Sequence, residues 1–70
     1  MTQKQMIVKY IKDFGSITPM EAFSDLGITK LATRVSELIR DGEAIRKQPE
    51  KRLNRYGKKC RYMRYSLTEL

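Results

Sequence analysis

Apolar residues recur every three to four positions through the first forty residues and every second position near the end of the chain. Met6, Ile7, Tyr10, Ile11 and Phe14 share one side of a helical wheel, with Lys4, Lys9, Lys12 and Asp13 on the other. This spacing predicts an amphipathic helix from Gln3 to Phe14. Gly15 follows directly and suits a left-handed cap. Ile17 is placed to turn inward as a single-pair β-bridge. Thr18-Pro19-Met20-Glu21 combines three helix-start signals: a capping hydroxyl, a proline whose missing N–H costs nothing at the first position, and a glutamate able to bond back to Thr18. The second helix is expected to run to about Leu26, to bury Ala22, Phe23 and Leu26, and to stop at Gly27. Ile28 is the apolar residue of the turn. Thr29 is expected to cap a third helix from Lys30 to about Asp41. Leu31, Val35, Leu38 and Ile39 gather on its inner side, Lys30, Thr33, Glu37 and Arg40 lie opposite, and Arg34 and Ser36 fall at the edges.

After Gly42 the period drops to two. Glu43 to Lys47 reads as a strand with Ile45 inward. Arg61, Met63, Tyr65 and Leu67 alternate with Tyr62, Arg64 and Ser66 in a second strand. Between them Gln48 to Cys60, with Pro49, Asn54 and Gly57, reads as a long exposed hairpin loop or a hairpin with a mobile tip. Tyr10 and Tyr65 are in core phase, and Met20 and Met63 are expected to pack. Val8 and Leu70 are left outside the core. Helix, short bridge, helix, turn, helix, strand, basic loop, strand is the order of a winged helix-turn-helix domain. The fold class is α+β: three helices and a small antiparallel β-hairpin, the wing, over residues 1–70 as a single domain.

Charge sharpens this picture. The formal net charge is +7, and it is localised. Arg46 to Arg64 holds nine basic residues against the single acid Glu50, while residues 1–45 hold six basic and six acidic residues. Mutual repulsion of nine cations opposes folding, and protecting a hairpin edge needs only two or three, so the segment points to a polyanion. Tyr56 and Tyr62 are interleaved with the cations and suit contact with sugars or bases.

Other chemistry is poorly provided for. Seventy residues leave little room for a large substrate cavity. No apolar run approaches the ~18 residues of a membrane span, and no signal-peptide pattern opens the chain. Cys60 is the only cysteine and histidine is absent, so neither an internal disulfide nor a zinc site is expected. There is no glycine-rich phosphate loop and no nucleophile beside a base. Asp41 and Glu43 read as capping or solvent groups at a helix end. An enzyme, a cofactor and a metal are not expected, and the setting is expected to be intracellular.

The candidate nucleic-acid site has two parts. On the third helix Thr29, Lys30, Thr33, Arg34 and Glu37 face outward, and a groove-reading helix uses such residues: Arg pairs with guanine, and Thr meets a thymine methyl or a phosphate. On the wing Arg46, Lys47, Lys51, Arg52, Arg55, Tyr56, Lys58, Lys59 and Arg61 are the candidates.

Ser16-Ile17-Thr18-Pro19-Met20-Glu21-Ala22, Leu31-Ala32-Thr33-Arg34-Val35-Ser36-Glu37-Leu38 and Arg64-Tyr65-Ser66-Leu67 together resemble small winged helix-turn-helix proteins of bacteriophage and prophage genomes. The resemblance covers about residues 3 to 67. It places Lys30, Thr33 and Arg34 on the recognition face and Arg46 to Arg61 in the wing. Gly27 follows Ala22 by five positions where such proteins usually have four, so a turn one residue longer is expected. The resemblance implies a double-stranded DNA-binding transcriptional regulator or recombination accessory in the cytoplasm of a bacterial host; with no added helix to form a dimer, a monomer or weak homodimer is expected. It also implies an alternative, an anti-defence (anti-CRISPR-like) inhibitor or other interaction module that docks its basic hairpin on a protein or ribonucleoprotein. Structured RNA is disfavoured, because no RNA-reading motif is present.

Overall fold

In the computed structural model, which describes residues 1–68, helix α1 spans Gln3–Phe14 as the spacing predicts. Thr2 starts it with a capping box. Its hydroxyl accepts the Gln5 N–H at 3.1 Å, and the Gln5 side chain accepts the Thr2 N–H at 2.8 Å. Gly15 ends it at φ 91°, a left-handed conformation that a side chain rarely adopts. Helix α2 spans Pro19–Leu26 and starts with the expected reciprocal bonds between Thr18 and Glu21, at 3.0 and 3.2 Å. At its end the Gly27 N–H donates to Phe23 O and the Ile28 N–H to Ala22 O, each at 3.0 Å. These bonds satisfy the last carbonyls and drop Ile28 into the core.

Helix α3 spans Leu31–Arg40. Gly27 to Lys30, four residues, joins it to α2, at the long end of the three to four that such turns use. Thr29 does not cap α3. The helix begins one residue later than the pattern suggests, Lys30 takes the capping position, and no side chain bonds there.

Strands β1, Ile45–Leu53, and β2, Lys59–Leu67, pair antiparallel from Ile45 opposite Leu67 to Leu53 opposite Lys59. The expected long loop is therefore mostly strand. A two-stranded ribbon has free outer edges, so it accommodates Pro49 and many charges. The turn is confined to Asn54–Lys58 and is held by its own bonds. Asn54 Oδ1 accepts the Tyr56 and Lys58 N–H groups, both at 2.9 Å, and Asn54 O accepts the Gly57 N–H at 3.0 Å. The Asn54 N–H donates to Lys58 O at 2.8 Å, which leaves a three-residue loop of residues 55–57, and Gly57 takes the left-handed conformation at φ 77° that such a loop requires. At the wing root the predicted bridge forms: Ile17 and Tyr65 exchange N–H···O bonds of 2.8 and 2.9 Å.

The core comprises Ile7, Ile11, Ile17, Ala22, Ile28, Leu31, Val35, Leu38 and Tyr65, with Val8, Tyr10, Leu26, Ile45 and Leu67 packed against it. Val8 thus joins the core margin, while Leu70 lies outside the described residues. Phe14, Met20, Phe23, Met63 and Ile39 were expected inside and lie at the surface. The buried stripe of α2 is narrow, Ala22 with Leu26 one turn on, and Phe23 is rotated about 100° from Ala22, beyond the edge of that stripe. Phe14 packs against Tyr10 instead, with ring centroids 4.6 Å apart and the planes tilted by 44°.

Tyr10 ties α1 to α2. Its hydroxyl donates to Asp25 Oδ2 at 2.6 Å. That bond, then burial and the nearby Glu21 and Asp25 charges, push its pKa up to about 12. A raised folded-state pKa contributes stability below the ordinary phenol value of about 10 and loses it as pH rises towards 12. The stability difference between the wild type and Tyr10→Phe is expected to shrink over that window. Unfolding at stepped alkaline pH measures it, and a difference that stays constant contradicts the bond.

Candidate nucleic-acid interface

Leu31, Val35 and Leu38 fix α3 from behind, which leaves Thr29, Lys30, Thr33, Ser36 and Arg40 exposed. Arg40 is seven residues, about two turns, beyond Thr33, so both centre on the outward side. Arg40 and Ser36 are therefore added to the candidate face, and the helical wheel that exposes Lys30 and Thr33 contains both. Arg34 and Glu37 are not free. They are half-buried and paired, Nη1 to Oε1, at 3.0 Å, and Arg34 Nε is buried with no hydrogen-bond partner. The guanidinium therefore meets an acid on its own helix and keeps an unsatisfied donor.

On the wing, the register divides the charges between two faces, because directly opposed residues point to the same side. One face packs Ile45, Tyr65 and Leu67 against the helices at its root. Further out the same face carries Lys47, Lys51, Lys59 and Arg61 with no acid. Lys51 lies directly opposite Arg61. A like-charge rung of this kind destabilises a ribbon by ~0.2–1 kcal/mol. This rung opposes the fold rather than supporting it.

The other face carries Arg46, Arg52, Glu50, Tyr62 and Arg64. Arg64 is internal to the structure. Its Nε donates to Glu50 Oε1 and its Nη1 to Ser16 Oγ, both at 2.9 Å, and Nη1 lies 3.8 Å from Glu21 Oε1. The Tyr62 hydroxyl and the Arg64 guanidinium hold the Glu50 carboxyl below its usual range, and Glu50 in turn raises Arg64. One of the nine cations thus clamps the wing to α2. Tyr62, half-buried beside Glu50, belongs to this clamp rather than to a free stacking surface. Among the described residues none of Arg46, Lys47, Lys51, Arg52, Arg55, Lys58, Lys59 and Arg61 forms an ion pair, and all are exposed. The turn bonds hold Arg55, Tyr56 and Lys58 at the tip, where Tyr56 is 86% exposed.

Among the described residues no group of three or more His, Cys, Asp or Glu could hold a metal ion, and no helix is long and apolar enough to cross a membrane. Cys60 is an exposed strand residue.

A structured helix pair, a third helix with its polar side outward and a basic two-stranded ribbon define a winged helix-turn-helix. The model of the winged helix-turn-helix domain family matches residues 2–70, so the chain belongs to that family. It is a family of DNA-binding domains, typically non-enzymatic, and membership supports nucleic-acid binding by this chain. No curated protein and no solved structure matches it.

Proposed function

We propose that the protein binds double-stranded DNA, with α3 in the major groove and the Lys47, Lys51, Lys59 and Arg61 face of the wing along the phosphates. As the phage-like resemblance suggests, it serves as a transcriptional regulator or a recombination accessory. The observation that carries this reading is the acid-free wing face, where Lys51 opposes Arg61 at a cost to the fold. Phosphates spaced along a duplex neutralise such a row. Affinity without sequence then comes from the wing. Selectivity comes from α3, where Arg34 exchanges Glu37 for a guanine edge and satisfies its free donor. Glu37 makes the exchange conditional: leaving it is offset only by a base that accepts both guanidinium bonds.

Selection of bound sequences from a random duplex pool tests this. The wild type is expected to enrich a motif containing guanine. Arg34→Ala is expected to lose ~1–3 kcal/mol of discrimination at one base position while retaining general affinity. Absence of binding to any duplex at about 50 mM salt, where phosphate contacts are strongest, overturns the reading.

A further inference from the structure

A second site lies where the outer half of the wing approaches α2, and it draws on residues of both faces of the ribbon. An open cleft of about 580 Å³ lies between the first turn of α2 and the outer half of the ribbon. Its apolar walls are Pro19 and Met20 on α2 and Leu53 and Tyr62 on the wing. Met20 is 68% exposed and Leu53 61%, so two large apolar side chains on opposite walls face solvent. Phe23, also exposed, extends the patch one turn along α2. Arg52, Arg55 and Arg61 rim the cleft, and none is ion-paired among the described residues. The one carboxylate lining it, Glu21, is occupied by the Thr18 N–H and by Arg64.

An apolar floor with an all-arginine rim selects a ligand that is both apolar and anionic. A duplex backbone supplies the anion but no aliphatic group for Met20 and Leu53. Single-stranded bases stack on aromatic faces, and Tyr62, the cleft's only aromatic residue, is engaged with Glu50. We infer that the cleft is a docking site for an acidic segment of a partner protein, with an apolar side chain inserted between Met20 and Leu53 and carboxylates paired to Arg52, Arg55 and Arg61. The site includes no residue of α3, but it shares Arg61 with the Lys51–Arg61 rung, and Leu53 lies on the face of that rung, so a bound partner leaves the recognition helix free and draws Arg61 from the phosphate row. The inference stands on the cleft and does not need the DNA reading to hold.

The test uses fluorescence anisotropy of the full chain with a labelled twelve-residue peptide alternating glutamate with leucine and phenylalanine. The control peptide has serine at every leucine and phenylalanine position. The first peptide is expected to bind at least tenfold more tightly than the control at about 150 mM salt. Met20→Ser with Leu53→Ser, both exposed and so compatible with folding, is expected to abolish that difference and leave duplex binding within twofold. Equal binding of the two peptides shows charge attraction alone and overturns the inference, as does an unchanged tenfold preference in the double variant. A double variant that loses duplex binding as strongly as peptide binding assigns the cleft to the duplex and also overturns it.

Discussion

Changing Lys47, Lys51, Lys59 and Arg61 together to alanine is expected to flatten the salt dependence of duplex binding by three to four units in the slope of log K against log salt. Each phosphate neutralised on B-form DNA contributes ~0.9 to that slope. Between 50 and 200 mM salt a change of this size removes ~100-fold of the variation in affinity. The matched control is Arg46→Ala with Arg52→Ala, which removes two unpaired cations from the other face and should lower the slope by less than half as much. The quadruple variant is also expected to unfold no more easily than the wild type, because it removes the Lys51–Arg61 repulsion. Loss of binding without loss of stability separates this face from a structural role. Equal slopes for the quadruple variant and the wild type mean that the row meets no phosphates. Titrations of one duplex at four or five salt concentrations, with a urea melt of each variant, supply both readings.

The second large effect concerns what holds the wing at α3. Ile17→Ala is expected to destabilise the fold by ~2–5 kcal/mol, the range for truncating a fully buried isoleucine. A chain of this length has a total stability of only ~4–10 kcal/mol, so the variant should be partly unfolded at room temperature or melt far below the wild type. Ile17 does two jobs. Its side chain fills the centre of the core, and its backbone forms the bridge that anchors Tyr65 and so the root of β2. Alanine keeps the backbone bonds and loses the packing. A melting temperature within a few degrees of the wild type shows that the bridge bonds, rather than the side chain, carry this junction.

The sequence revealed the helical part of the fold well because local chemistry and burial agree there. Thr18-Pro19-Met20-Glu21 starts α2 by bonds between neighbours in sequence, and Gly15 and Gly27 stop helices by a conformation that other residues avoid. The wing was legible in existence but not in extent. Hydrophobic alternation marks a strand only where one face is buried, and from Arg46 to Leu53 almost every residue of β1 is exposed. Pro49 then resembled loop punctuation, although the free edge of a two-stranded ribbon accepts it. The exposed Phe14, Met20 and Phe23 show the converse. Helical spacing says which residues share a side, while a small core decides how many of them it covers.

The candidate site was readable as a set of charges and unreadable as an arrangement. Nine cations in nineteen residues are plain in the sequence. That Arg64 is committed to Glu50, Ser16 and Glu21 depends on a register that brings residues 14 and 48 positions apart into contact. The division of the remaining cations between two faces follows from the same register. The Arg34–Glu37 pair, three residues apart on one helix, was open to prediction from spacing alone and changes the meaning of both residues. Arg34 is held by Glu37 and is not a free cation on the helix surface.

The claim that α3 and one face of the wing together hold a duplex is tested most directly by titrating isotope-labelled protein with duplex DNA and following the backbone amide resonances. The expected result is a connected set of shifts at Thr29, Lys30, Thr33, Arg34, Ser36 and Arg40 on α3 and at Lys47, Lys51, Lys59 and Arg61 on the wing, with the outward side of α1 around Lys9 and Asp13 unmoved. Shifts confined to the wing, with α3 unchanged at saturation, or no shifts with any duplex at about 50 mM salt, contradict it.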